Sequence, residues 1–181
     1  MELNLCIRES APAYLKDLFE VERRAFNSEE EADLVRELLD DPSAEPRLSL
    51  LAVYEERAVG HILFTRGYVD PEIDLKVSIL APLAVLPEYQ KQGIGGRLIK
   101  EGLAILGKRG VDLVFVLGHP SYYPQHGFKP AVPAGFAPPY YIAPEFTDAW
   151  MVQPLNPTCW GSCQGQVKCA QALDRPEYWG E

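Results

Sequence analysis

Apolar and polar positions along this chain fall into a few regular runs. From Ile94 onward, Ile94, Leu98, Ile99, Gly102, Leu103, Ile105 and Leu106 share one broad arc at helical spacing, while Arg97, Lys100, Glu101 and Lys108 take the other. That spacing predicts a helix laid on a sheet. Before it, Val77 to Leu86 is almost continuously apolar and reads as a buried strand, interrupted by Pro82. Proline donates nothing to a ladder, so Pro82 marks an edge, a bulge or a splay. After a stop signal at Gly110, Val111 to Gly118 is a second buried strand, and strand, helix, strand implies a parallel crossover. Upstream, Leu3 to Arg8 alternates as an opening strand, and Ala11 to Phe26 reads as helical. Ser28 and Glu31 have the spacing of a capping box for a second helix with Leu34, Val35, Leu38 and Leu39 on its apolar face. Leu48 to Tyr54 and Ala58 to Thr65 are apolar runs joined by Glu55-Glu56-Arg57, a hairpin signal. Pro130 to Pro157 holds seven of the sixteen prolines and reads as a long surface loop ending in a strand near Ala149 to Leu155.

Composition changes this picture little. The 181 residues, 47% apolar and 24% charged, suit one domain, residues 1–181, with a core over 1–129 and a proline- and aromatic-rich remainder over 130–181. A formal charge of −9 disfavours nonspecific binding to nucleic acid or anionic membrane, although Lys91, Arg97, Lys100, Lys108 and Arg109 make a local basic patch. No apolar run reaches membrane-spanning length and MELNLCIRES has no signal-peptide pattern, so a cytoplasmic location is expected. Cys159, Cys163 and Cys169 crowd the tail, with Cys6 far away. Their C-x3-C-x5-C spacing lacks a nearby histidine and is no recognised zinc-finger pattern, so free thiols are expected and no metal.

The sharpest chemistry lies at the start of the central helix. Gly93, Gly95 and Gly96 remove side chains where the chain enters it. The first helical N–H groups lack intrahelical partners and sit at the positive end of the macrodipole, so the loop is suited to a diphosphate. A Rossmann loop would need a third glycine where Leu98 stands, glycines directly after the strand, and a ribose-binding acid after the second strand, whereas Asp112 precedes it. A P-loop would need Gly-Lys-Ser/Thr, which is missing. Glycines serving only as turn residues are the bland alternative.

Gln90-x-x-Gly93-x-Gly95 resembles the Q/R-x-x-G-x-G/A signature of the GCN5-related N-acetyltransferase (GNAT) superfamily, and Tyr123 with Gly127-Phe128 resembles its Y-x-x-x-G-F stretch. The two motifs stand in the family's order. PLAVLPEYQKQGIG with LGHPSYYPQHGF is most similar to an uncharacterised bacterial branch of predicted acetyltransferases. The resemblance implies a mixed α/β fold: a central splayed sheet flanked by helices, with an antiparallel N-terminal meander and a parallel strand-helix-strand cofactor unit. It also implies acetyl-CoA as cosubstrate. Gln90, Lys91, Gln92, Gly93, Ile94, Gly95 and Gly96 would hold the diphosphate, while Leu83, Ala84 and Val85 would offer backbone groups to the pantetheine arm.

The reaction implied is direct transfer of acetyl to a primary amine of a small-molecule or peptide acceptor in a ternary complex. Tyr123 is the candidate general acid, because a phenol can protonate the departing thiolate, with Tyr122 as its one-residue confounder. The resemblance implies, for many relatives, a glutamate base on or near the central strands, acting directly or through water, but Lys76 to Leu86 contains no carboxylate, only Ser78. His119, after the second buried strand, is therefore the candidate base, with Glu22 as another option. His61 and His126 are assigned structural or surface roles. Phe136, Tyr140, Tyr141, Phe146 and Trp150 either line the acceptor pocket or cap the core. A homodimer sharing C-terminal strands fits this architecture. Two other classes stay in view, a noncatalytic coenzyme A sensor and a dinucleotide-dependent oxidoreductase.

Overall fold

The computed structural model describes residues 4–156 and 160–180. Strand β1 (Leu5–Glu9) opens the chain; Leu3, its expected first residue, lies outside the described range. The expected first helix is split, with a 3-10 turn at Pro12–Tyr14 leading into α1 (Leu15–Phe26). Asn27 ends α1 in the left-handed region, φ 51°, and its N–H bonds the Arg23 carbonyl, a polar variant of the glycine cap. In α2 (Glu30–Asp40) the expected capping box does not form. Ser28 Oγ accepts the N–H of Glu30, two residues on, at 3.1 Å, a local turn that starts the helix differently and leaves the Glu31 side chain free for another use.

Strands β2 (Leu48–Tyr54) and β3 (Arg57–Asp70) form the expected hairpin. Its two central residues, Glu55 and Glu56, both have positive φ, 48° and 63°, as the hairpin turn that matches strand twist requires. β3 runs five residues beyond the expected end at Thr65. The extension pairs with β9 (Gly165–Lys168), from Tyr68↔Lys168 to Asp70↔Gln166. A partner so distant in sequence leaves no local signal.

The crossover unit is β4 (Val77–Val85), α3 (Ile94–Lys108) and β5 (Leu113–Leu117), with β4 and β5 parallel. Three further strands follow: β6 (Lys129–Pro130), β7 (Phe136–Ala137) and β8 (Trp150–Pro154). The sheet order is β1-β2-β3-β4-β5-β8-β6, with β9 beside the outer half of β3 and β7 beside β9. Successive residues of β3 point to opposite faces: a side chain at Gly60 would meet Ile94 and Leu98 of α3, whereas His61 bonds Glu22 of α1. The two helices therefore cover opposite faces of the sheet.

Pro82 does interrupt the ladder. Between Ile62↔Leu83 and Phe64↔Leu80, two residues of β4, Ala81 and Pro82, oppose one of β3, which is a bulge. On the other side, pairing with β5 runs from Val77↔Leu113 to Leu80↔Val116 and then stops. Beyond Leu80 and Val116 the two strands part.

The proline-rich stretch is less of a surface loop than expected. Ala131, Phe136 and Trp150 are buried. Phe115 of β5 stacks on Trp150, with centroids 5.2 Å apart and planes 13° from parallel, and meets Phe136 edge-on. Trp150 donates its indole N–H to the Phe136 carbonyl at 3.1 Å. Burying these rings offsets the cost of ordering the prolines between them. Tyr141 and Phe146 remain exposed.

Candidate active site

Two grooves meet where β4 and β5 part. The first, about 400 Å³, is lined by Leu83, Val85, Tyr89, Gln90, Lys91, Gly93, Ile94, Gly95, Gly96, Tyr122, Gln125 and His126. Gly93 is the N-cap of α3 with φ 85°, a conformation that costs a side-chain-bearing residue energy, and its carbonyl receives the first helical hydrogen bond from Arg97. The N–H groups of Ile94, Gly95 and Gly96 thus lie ahead of the first intrahelical bond, at the positive end of a fifteen-residue helix. Side chains at 95 and 96 would close this groove: a Cβ at Gly95 would stand 2.6 Å from the Tyr122 hydroxyl, and one at Gly96 2.9 Å from His126 Cε1. The glycines leave room for backbone donors to meet a diphosphate between these rings.

Most of the expected cofactor residues gather here, but not all in the expected manner. Gln90 does not aim its amide at the groove; Nε2 donates to the Val85 carbonyl at 3.0 Å, clamping the loop to the end of β4. That bond occupies the Val85 carbonyl, one of the groups expected to meet the pantetheine. Gln92 turns back to the Glu88 carbonyl, and neither it nor Ala84, whose side chain is buried, lines the groove. Tyr89, Tyr122, Gln125 and His126 were not among the expected cofactor residues. The 3-10 turn Tyr123–His126 swings this segment against α3, which spacing along the chain does not reveal. His126 therefore belongs to the groove wall, not to a remote surface, and burial pulls its pKa down, so it is neutral at neutral pH.

The second groove, about 440 Å³, opens on the opposite side of the parting. Its floor is Leu80 to Leu83 of β4 and Val116 to His119 at and just past the end of β5; its walls are Phe26, Glu30, Glu31 and Leu34 from the α1–α2 corner and Leu173, Glu177 and Tyr178 from the C-terminal segment. None of the aromatics of residues 130–157 lines it; Phe136 and Trp150 cap the core, Tyr141 and Phe146 stay exposed, and the groove's aromatic walls are Phe26, Tyr123 and Tyr178. The C-terminal wall is pinned from below. Asp41 accepts from the Ala172 N–H at 2.9 Å and from both the N–H and hydroxyl of Ser43, while Ser43 Oγ accepts the Gln171 N–H at 2.8 Å.

The two tyrosines separate cleanly. Tyr122 faces the first groove and Tyr123 the second, their rings edge-on at 5.1 Å. Tyr123 packs over Gly118, where a Cβ would collide with its ring, and edge-on against Phe128. Burial drives its pKa well above that of an ordinary phenol, so it stays a proton donor across the neutral range. His119 stands exposed on the rim of the same groove. His61 and Glu22 lie fully buried beneath the sheet face that carries α1, with His61 Nδ1 bonded to Glu22 Oε1. Among the described residues no group of three or more His, Cys, Asp and Glu side chains gathers as metal ligands. Cys6, Cys163 and Cys169 are free thiols, and Cys159 lies outside the described residues. No described helix is long and apolar enough to cross a membrane.

This geometry has counterparts in known proteins. The model of the acetyltransferase (GNAT) family matches residues 15–128. The uncharacterized N-acetyltransferase YjhQ of Escherichia coli K12 is 53% identical over 156 residues, 85% of this chain and 86% of that protein. The crystal structure of the GNAT N-acetyltransferase YhbS from Escherichia coli in complex with CoA superposes with a TM-score of 0.87 at 30% identity, covering 96% of this chain and 93% of that one. A GNAT acetyltransferase from Brucella melitensis in complex with acetyl-CoA gives a TM-score of 0.76 at 28% identity over 94% of this chain and 99% of its own. A glycine-lined helix start beside two parted strands is thus built on the fold, and in the sequence pattern, of acetyl-transferring enzymes, not of dinucleotide oxidoreductases: the chain belongs to the GNAT family of acetyltransferases.

Proposed function

We propose that the protein transfers the acetyl group of acetyl-CoA directly to a primary amine held in the second groove, without a covalent enzyme intermediate. One observation carries this reading: the two grooves share Leu83, just past the last β4–β5 pair Leu80↔Val116, with a diphosphate cradle on one side and an acid-walled, aromatic recess on the other. The cosubstrate supplies an activated acyl group, a thioester carbonyl open to attack. Ile94, Gly95 and Gly96 N–H groups, with Lys91, suit its diphosphate, and the backbone of β4 at Leu83 suits its arm.

The amine nitrogen bonds the carbonyl carbon, the carbon–sulfur bond breaks, and the sulfur leaves as a thiolate. Tyr123, whose hydroxyl has no hydrogen-bond partner among the described residues, gives its proton to that thiolate. An alkylammonium must lose a proton before attack. Among the groove's titratable groups, His119 on the rim and Glu31 in the wall are the candidates to take it.

The acceptor amine suits the groove's charge. Glu30, Glu31 and Glu177 line it, with no lysine or arginine among its residues. A panel of alkylamines, phenylethylamine, diamines, amino acids and peptide N-termini, followed by free-thiol release from acetyl-CoA, tests the proposal. Release well above hydrolysis with at least one primary amine is expected. Tight acetyl-CoA binding by calorimetry without transfer to any amine would replace the enzyme reading with a coenzyme A sensor.

A further inference from the structure

A chain of buried polar groups crosses the sheet face under α1, and the transfer step described above does not use it. The Ser10 hydroxyl donates to Ser49 Oγ at 2.7 Å; Ser49 Oγ lies 2.8 Å from His61 Nε2; and His61 Nδ1 meets Glu22 Oε1. With Ser10 donating, the Ser49 hydrogen is free to go to Nε2, which places the imidazole proton on Nδ1, where it is donated to Glu22 Oε1. Serine, histidine and glutamate here have the order of a nucleophile triad. Ser49, however, lines neither groove, so the far end of the chain, at Glu22, is the end that matters.

Glu22 is fully buried, and its second oxygen, Oε2, has no hydrogen-bond partner among the described residues. Burying a carboxyl oxygen unpaired is unfavourable, so a group held this way calls for an explanation. One helical turn beyond Glu22, on the same face of α1, Phe26 forms the wall of the acceptor groove. From α2, Glu31 lines the same groove, and its Oε2 is also buried without a hydrogen-bond partner among the described residues. The missing capping box is the reason that Glu31 is available. Burial pushes the Glu22 carboxyl up, the hydrogen bond and charge of His61 pull it down, and the charge of Glu31 pushes it up again, for a net rise. His61 from β3 and Glu31 from α2 are the titratable groups that act on Glu22; around Glu31 the groove adds Glu30, His119, Tyr123, Glu177 and Tyr178.

We infer that Glu22, oriented by His61, Ser49 and Ser10, is the final acceptor of the proton that the incoming ammonium loses, handed to it by Glu31 from the groove wall; this rests on the acetyl-transfer reading above. The nitrogen–hydrogen bond breaks toward a Glu31 oxygen, the proton passes to Glu22 Oε2, and the free amine attacks. After product release the proton returns to solvent through the groove. Glu31 touches the acceptor; Glu22, His61 and Ser49 are positioning residues that act through it. The arrangement supplies the base that β4 lacks.

The test is the pH dependence of kcat/KM for thiol release with the amine panel above, on wild type, Glu22→Gln, Ser49→Ala and His119→Gln. Calorimetric coenzyme A affinity and thermal melts report whether each variant is folded. Glu22→Gln is expected to lose about 100-fold near neutral pH, to recover at high pH where the amine is already free, and to keep its coenzyme A affinity. Ser49→Ala, which weakens the support of the Glu22 anion, is expected to move the acidic limb to higher pH with about a 3-fold loss near neutrality and an intact high-pH plateau. A Glu22→Gln profile that matches wild type overturns the relay and leaves the transferase reading standing. Loss of the acidic limb in His119→Gln while Glu22→Gln retains it returns the base to the rim and overturns the relay as well. Transfer by no variant and no wild type overturns both readings.

Discussion

At the scale of single residues, the two adjacent tyrosines carry different work because the turn between them points their rings into different grooves. Tyr123→Phe removes one hydroxyl and leaves the ring that packs on Gly118 and Phe128. If Tyr123 protonates the thiolate, kcat should fall about 100-fold while coenzyme A affinity, read by calorimetry, stays the same. Asp41 offers a test of the groove wall. Burial raises its pKa, but hydrogen bonds from Ala172 and Ser43 outweigh that and leave it lowered. A carboxyl lowered on folding stabilises the protein above its unfolded pKa of about 3.9, and that stability is lost as pH falls through the lower, folded value. Asp41→Asn keeps one acceptor oxygen but turns a donor toward the N–H of Ala172. Denaturant titration should show a loss of about 1–3 kcal/mol at neutral pH and a weaker dependence on acid than in wild type. The acceptor KM should rise with it, since Leu173, Glu177 and Tyr178 hang from that anchor.

At the scale of elements, what could be read in the sequence follows from how local each signal is. α3 and its glycine cradle, the β2–β3 hairpin, β4 with its proline and β5 were all legible, because periodicity, turn chemistry and a missing donor each act within a few residues. The outer half of β3, the strand β9 that pairs with it and the C-terminal groove wall were not, because each depends on contacts across about a hundred residues. The capping box fails for a related reason: Ser28 and Glu31 have the right spacing, but Glu31 lines the groove and Ser28 accepts from Glu30 instead. The hairpin turn was recognised, yet its residues are poorly suited to it. Glu55 and Glu56 both occupy the left-handed region, where a side chain costs about 1–2 kcal/mol. Glu56→Gly should therefore raise stability, by about 0.5–1 kcal/mol in denaturant titration, without altering transfer, since the turn lines neither groove.

At the scale of the whole molecule, a net charge of −9 and a cosubstrate with an anionic diphosphate pull in opposite directions, and the two grooves divide the conflict. The first presents a helix N-terminus and Lys91; the second presents Glu30, Glu31 and Glu177. Glu30 and Glu177 lie exposed in the groove walls, so their charges stay hydrated and would draw a cationic acceptor by screened attraction. Such attraction is screened over about 8–10 Å at physiological salt. The double variant Glu30→Gln, Glu177→Gln should therefore raise KM about 5- to 10-fold for a diamine acceptor and by less than about 2-fold for phenylethylamine, whose far end is uncharged. In wild type, added salt should produce the same ordering, weakening the diamine more than phenylethylamine. In the double variant that difference should largely disappear. An equal response of both amines to the double substitution would mean that the acidic rim only solvates the groove, and selectivity would then rest on Phe26, Leu34 and Tyr178, the apolar part of its walls.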